Sequence, residues 1–219
     1  ITINISSPNT PNLRDLHNQE DLSVLIEAID KCIKDLGINK PIFIKIAPDL
    51  NDSNVTEFLS VCEENNVSGL IATNTTVNPQ ILKKPKSFGG GLSGKPLFNQ
   101  SNKILRLLAK RKNASTILIG VGGIFSASDI YEKIKLGASA VQIYPGFVYN
   151  GPFHIKKMEL ELKNILLKWK DSKDIPDNHI LVIGQMPDDE TVHGFGFGDH
   201  IVKLKMIVDK LQGRNVVIK

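Results

Sequence analysis

The sequence predicts a parallel α/β fold, on three observations. Short β-branched runs alternate with longer segments whose apolar residues recur every three to four positions. The intervening segments are long enough for the helical crossover that a parallel strand pair needs and an antiparallel hairpin does not. The residues just after each run are rich in Asn, Ser, Thr and Gly. Both open α/β sheets and closed barrels bind ligands at those C-terminal strand ends.

The first strand covers residues 1–5 and the first helix 20–36. The second strand, 41–46, is apolar except for Lys45, which alternation places on the face of Phe43 and not that of Ile44. A helix over 54–65 follows, with Ser53 as its N-cap, then a strand at 69–73 and a helix over 101–112. The fourth strand is 116–121; Ser126 caps the helix 126–136; the fifth strand is 140–144 and the last helix 155–167. On that helix Lys156, Lys157, Lys163 and Lys168 form a solvated face. Cys32 and Cys62 sit in helical stretches with apolar neighbours and no ligand partner at metal spacing, so both read as buried reduced thiols. Polar residues 171–178, with Pro176, read as a linker between a domain of residues 1–170 and a tail, 179–219. Within that tail 179–184 reads as a strand, 201–211 as a helix and 215–218 as a strand, a small unit whose place in the fold the pattern does not give. The glycine run between His193 and His200 has no strand directly before it and reads as a flexible loop.

At 219 residues, 23% charged and 41% hydrophobic, the chain has the composition of a soluble globular protein with one main core. The formal charge of +4 comes from 27 basic and 23 acidic residues mixed along the chain, so no like-charged block marks a nucleic-acid or lipid partner. No stretch reaches the roughly 18 consecutive apolar residues of a membrane span, and no targeting signal is legible. The chain has no initiating Met and opens inside a strand, which reads as truncation.

The strand ends carry no His, Cys or carboxylate cluster, which argues against metal hydrolysis and a catalytic triad. They suit a planar ligand rich in carbonyl and N–H groups: Asn4, Asn9 and Asn74 each offer an acceptor and two donors to the edge of a pyrimidine or flavin ring. If the face of Lys45 is a barrel interior, its ammonium needs an anion or an electron-rich ring as partner. Gly120-Val121-Gly122-Gly123 follows an apolar strand and precedes a helix, a context in which glycine lets backbone N–H groups approach a phosphate. Gly89-Gly90-Gly91-Leu92-Ser93-Gly94 supplies a further flexible loop.

Five motifs in order carry a resemblance that composition does not. They are Asn4-Ile5-Ser6-Ser7-Pro8-Asn9-Thr10, Lys45-Ile46-Ala47-Pro48-Asp49-Leu50, Ile71-Ala72-Thr73-Asn74-Thr75-Thr76, Gly90-Gly91-Leu92-Ser93-Gly94-Lys95-Pro96-Leu97 and Gly120-Val121-Gly122-Gly123-Ile124. Over residues 1–170 the chain resembles class 2 dihydroorotate dehydrogenase. The resemblance implies a (β/α)8 TIM barrel, here strands four to eight, that oxidises dihydroorotate to orotate with FMN and passes electrons to a quinone in pyrimidine synthesis. It implies peripheral association with a bacterial cell membrane or the mitochondrial inner membrane. Ser7 matches the catalytic base, where class 1 relatives carry Cys. Asn4 matches a residue touching both flavin and substrate; Asn9, Asn74 and Thr75 match orotate-binding positions; Lys45 and Thr73 match positions at the flavin ring. Gly94, Gly123, Tyr144 and Pro145 match flavin phosphate and ribityl positions. Serine is a weak base, so a proton route through Thr10 and an ordered water is expected.

The chain departs from the family at Pro145, where the family has Ser or Thr and where proline has no N–H to donate. Five strands also cannot close an eight-stranded barrel, so poor solubility and weak flavin binding are expected of this chain alone. Two other readings share parts of the pattern. A phosphate-binding barrel isomerase or synthase would use Gly122-Gly123 but has no need of Ser7 with the asparagines. A truncated or fused gene product would keep the motifs without activity.

Overall fold

The structure, a computed structural model, describes residues 1–37, 40–82 and 90–169 and the strand Leu181–Gly184. Six parallel strands form one sheet in sequential order: β1 (Thr2–Asn4), β2 (Phe43–Ile46), β3 (Gly69–Ala72), β4 (Ile117–Val121), β5 (Ala140–Ile143) and β6 (Leu181–Gly184). The helices are α1 (Gln19–Asp35), α2 (Asp52–Glu64), α3 (Pro79–Leu82), α4 (Phe98–Arg111), α5 (Ala127–Lys135), α6 (Pro145–Asn150) and α7 (Phe153–Trp169).

Alternation along the strands sorts side chains onto two faces. Ile44, Ile46, Leu70, Ala72 and Leu118 join residues of α1, α2 and α4, among them Ile26, Phe58 and Leu105, in the main core. Val141 and Ile143 continue that face with Ile130, Met158 and Leu162 of α5 and α7. The opposite face is a separate, smaller cluster of Ile71, Ile119 and Ala140 with Phe43 and Val121, and among the described residues no helical residue enters it. Sequential parallel order with the core helices on one face means that every crossover winds the same way. That is the singly wound pattern of a (β/α)8 barrel, and the cluster around Ile71 belongs to its interior.

Each element of the main repeat lies within a few residues of its predicted span, and the differences are local. The N-cap of α2 is Asn51, whose side chain accepts the Asn54 N–H at 2.8 Å; Ser53 instead lies inside the first turn and donates to Asn51 Oδ1 at 2.7 Å. The helix begins at Asp52, one position earlier than the Ser53 cap requires, so Asn51 occupies the N-cap position and its side chain takes the role. Ser126 caps α5 as predicted, accepting the Asp129 N–H. Cys62 is buried, but Cys32 is exposed, because it falls on the outer side of α1 while Leu22, Ile26 and Ile33 face the core. Lys156, Lys157 and Lys163 are exposed on α7. The predicted elements at 201–211 and 215–218, the glycine run between His193 and His200, and the side chain of Lys168 lie outside the described residues.

Candidate active site at the strand ends

Strand register brings the predicted residues to one end of the sheet. Asn4 on β1 is opposite Lys45 on β2, which is opposite Ile71 on β3, so all three lie on the interior face at one level. Two residues beyond Ile71 the chain turns at Thr73, which is buried and follows a cis peptide bond. Its hydroxyl donates to Asn74 O at 3.0 Å.

The turn aims Asn74 back at β1. Asn74 Nδ2 donates to Asn4 Oδ1 at 3.2 Å and to the buried Ser6 Oγ at 3.1 Å, and Ser6 Oγ donates to Asn4 Oδ1 at 3.0 Å. Asn74 Oδ1 accepts the Thr75 N–H at 2.8 Å. The two asparagines therefore form one triangle with Ser6, on either side of the strand that carries Lys45. Lys45 is half-buried there, burial holds its ammonium below the usual lysine range, and no partner is recorded for it among the described residues.

Ser7 lies in the loop after β1, where its Oγ accepts the Asn9 N–H at 3.2 Å. Thr10, three residues on, is exposed. The glycine-rich loop approaches Asn9, which stays exposed, and Thr75, which is half-buried. A Cβ on Gly90 would stand 3.1 Å from Asn9 Oδ1, and one on Gly91 only 2.2 Å from Thr75 Oγ1. Those glycines permit close approach, and Leu92 ties the loop down by exchanging backbone hydrogen bonds with Thr76 at 2.8 and 3.0 Å.

The remaining predicted residues gather after β4 and β5. Gly122 and Gly123 have φ of +106° and +73°, backbone that favours glycine, and a Cβ on Gly123 would come within 2.5 Å of Phe98 Cβ. Gly94 faces Pro145 and Phe125, whose nearest side-chain atoms lie 3.7 and 3.9 Å from where its Cβ would be. Pro145 opens α6, a position where its missing N–H is not needed by the helix. Tyr144 directly precedes it and is exposed. Lys95 Nζ bridges both oxygens of Asp129 at 2.6 and 2.8 Å, and Asp129 also accepts the Phe125 N–H at 3.0 Å, which fastens the Gly94 loop to the start of α5. Burial alone would raise the Asp129 carboxyl; the Lys95 ammonium with the Phe125 and Ser126 hydrogen bonds holds it below its usual range.

Residue types alone did not reveal the groups that hold these loops together. Arg14 donates from Nε to Ser6 O at 3.0 Å, from Nη1 to Asp49 Oδ2 at 2.9 Å and from Nη2 to Thr75 O at 2.9 Å. Asp49 in turn accepts from the Thr76 hydroxyl and from Val77 N. His17 accepts the Ala47 N–H at Nε2 and donates from Nδ1 to Arg14 O at 2.8 Å, with its ring against Phe58. The signal available was Asp49, inside a quoted motif but unassigned. A surface groove of about 700 Å³ also touches Arg14 and His17, but Asn18, Leu50, Asn54 and Glu57 complete its wall and it includes none of the predicted site residues. Among the described residues no group of His, Cys, Asp and Glu could hold a metal ion, and no helix is long and apolar enough to cross a membrane.

The model of the dihydroorotate dehydrogenase family matches residues 1–166. The chain is 44% identical over 161 residues to a dihydroorotate dehydrogenase (quinone) of Christiangramia forsetii, a match covering 73% of this chain and 47% of that relative. It is 46% identical over 166 residues to the protein of the same name in Sulfurimonas denitrificans, covering 76% and 46%. The crystal structure of DHODH from Eimeria tenella in complex with ferulenol superposes with a TM-score of 0.71 at 36% identity, covering 76% of this chain and 50% of that one. The chain spans about half the length of the curated relatives it matches. With a match over three quarters of its length and the family's motifs joined at one end of the sheet, the chain belongs to the dihydroorotate dehydrogenase family.

Proposed function

We propose that this chain carries the strand-end active site of a quinone-linked dihydroorotate dehydrogenase, which oxidises dihydroorotate to orotate in pyrimidine synthesis with FMN as cofactor. The observation that carries this reading is the Asn4–Ser6–Asn74 triangle flanking the Lys45 ammonium, which has no partner among the described residues. Asn74 Nδ2 and the Ser6 hydroxyl donate within that triangle, so the donors left toward a ligand among the described residues are Asn4 Nδ2 and the Lys45 ammonium, which suit a planar, acceptor-rich ring.

The residues present fit FMN. Lys45 is a desolvated cation with no anion beside it among the described residues, the Gly122–Gly123 backbone has positive φ that favours glycine, and Gly94 keeps the space beside Pro145 and Phe125 free of a side chain. Asn4, Lys45 and Thr73 would hold the ring, and Gly94, Gly123, Tyr144 and Pro145 the ribityl phosphate. Pro145 donates no hydrogen bond, so the glycine backbone supplies that part of the phosphate's contacts. FMN, when bound, supplies the acceptor for the hydride leaving C6 of the substrate.

The chain's own residues do the rest. Asn9, Asn74 and Thr75 orient the substrate under the Gly90–Gly91 loop, which limits water. Ser7 Oγ removes the C5 proton, and the serine's own proton leaves through Thr10 and a water. The names of the relatives support a quinone as final electron acceptor, and a quinone dissolved in lipid implies peripheral association with a bacterial cell membrane or the mitochondrial inner membrane.

The test is anaerobic mixing of the protein with FMN and dihydroorotate while flavin absorbance is followed. It is run on this chain and on a chimaera that places the first half of the Christiangramia forsetii relative before Ile1. Bleaching that Ser7→Ala abolishes supports the reading. Absence of bleaching in both proteins overturns it.

A further inference from the structure

Lys133 is fully buried, on α5, yet plays no part in the chemistry above. Its stem lies over Gly120 on the helix side of the sheet, where a Cβ would stand 2.9 Å from Lys133 Cδ. Its ammonium donates to Ser101 Oγ at 2.9 Å, to Asn102 Oδ1 at 2.8 Å and to Val121 O at 3.3 Å, and lies 5.3 Å from the centre of the Phe98 ring. None of these partners is an anion. Asp129, one turn earlier on the same helix, is already engaged by Lys95 and the Phe125 N–H.

A buried cation with neutral partners is costly, and a Met of the same length would fill the space without that cost. What the ammonium does hold is the underside of one loop. Val121 O is the last carbonyl of β4, directly before Gly122, and the Ser101 hydroxyl, which donates to Phe98 O at 3.0 Å, makes a longer contact to Gly122 O at 3.4 Å. A Cβ on Gly122 would sit 3.0 Å from that same Ser101 Oγ. The backbone of Gly122 and Gly123 is thus seated on Ser101, Phe98 and Lys133.

We infer that Lys133 is a positioning residue for a phosphate monoester at Gly122–Gly123: it fixes the loop through Val121 and Ser101 and supplies the buried counter-charge from behind it, without touching the phosphate. This rests on the FMN reading above and adds a residue to it. Burial pushes the ammonium down to about 7, with Asp129 opposing the shift, so a dianion at the loop would favour its charged form. The other groups around it from α4 and β4 carry no charge, and Lys95 is paired with Asp129.

The experiment compares dissociation constants for FMN and for riboflavin, which lacks the phosphate, by flavin fluorescence in the same two proteins. Lys133→Met is expected to weaken FMN about 10- to 100-fold, as for loss of hydrogen bonds to a charged group, and to change riboflavin less than twofold. Ser101→Ala, a smaller change that breaks the link to Gly122, is expected to lower the FMN preference several-fold in the same direction. Equal loss for both ligands in both variants, or an unchanged FMN preference, overturns the inference while leaving FMN binding itself intact. If the unaltered proteins bind neither ligand, the FMN reading falls and this one with it.

Discussion

Arg14 Nη1 donates to Asp49 Oδ2 at 2.9 Å, and this ion pair joins the loop after β1 to the loop after β2. The same guanidinium reaches Ser6 O and Thr75 O, so one side chain spans the ends of three strands. Its planar fork suits that task, since the donors diverge at fixed angles. Arg14→Met should leave the buried Ser6 carbonyl, the half-buried Thr75 carbonyl and the Asp49 carboxylate short of a donor. The expected cost is about 2–3 kcal/mol, read as a fall of several degrees in thermal midpoint. Dihydroorotate binding should weaken with it, because Ser6 and Thr75 shift; an unchanged midpoint would show that the loops stand without Arg14.

Lys45→Met should raise the stability of the ligand-free protein while it weakens flavin binding. The half-buried ammonium has no recorded partner among the described residues, and removing it relieves desolvation, by about 0.5–1 kcal/mol on the usual scale of such trade-offs. Differential scanning calorimetry without ligand checks the first half, and fluorescence titration with FMN the second. A loss of stability would mean that Lys45 already has a partner in the protein.

Gly91→Ala tests the loop beside the proposed substrate residues. Its Cβ would meet Thr75 Oγ1 at 2.2 Å, so either the loop lifts or Thr75 moves. The fold should survive, with an unchanged far-ultraviolet circular dichroism spectrum, and KM for dihydroorotate should rise about tenfold, since a displacement of an ångström or so is costly in such sites. An unaltered KM would show that the loop does not cover the substrate.

His17 gives a pH dependence. Burial lowers its pKa below 6.5; the hydrogen bond to Arg14 O opposes this and the nearby guanidinium reinforces it. The folded state therefore prefers the neutral ring, which accepts the Ala47 N–H. Its contribution to stability is fully present above pH 6.5 and is lost as pH falls from there through the lowered folded-state value. Urea midpoints measured between pH 7 and pH 5 should fall more steeply for the unaltered protein than for His17→Gln. Parallel curves would exclude His17 as the titrating group.

Thr10→Val tests the proposed proton route from Ser7. Flavin reduction by dihydroorotate should slow about 100-fold, the low end for loss of a positioned proton-transfer group. An unchanged rate would remove Thr10 from the route.

The repeat, the strand faces and the residues that the candidate site brings together were legible because each is a local property. Ile44 and Ile46 alternate with Phe43 and Lys45 whatever the rest of the chain does, and the contrast between the helix-side core and the interior cluster follows from that period. The glycines at 91, 122 and 123 were legible as loop punctuation for the same reason. The Asn51 cap, the exposure of Cys32 and the seat of Lys133 beneath Gly122 were not, since each depends on which side of a helix turns inward or which short side chain reaches an N–H first. The sequence by itself determined a parallel βα repeat with asparagines, a lysine and glycines at its strand ends. Only the tertiary structure decided that Asn4 meets Asn74 across 70 positions and that Arg14 meets Asp49 across 35. Hydrogen bonds act over about 3 Å, and the crossovers set which loops come that close.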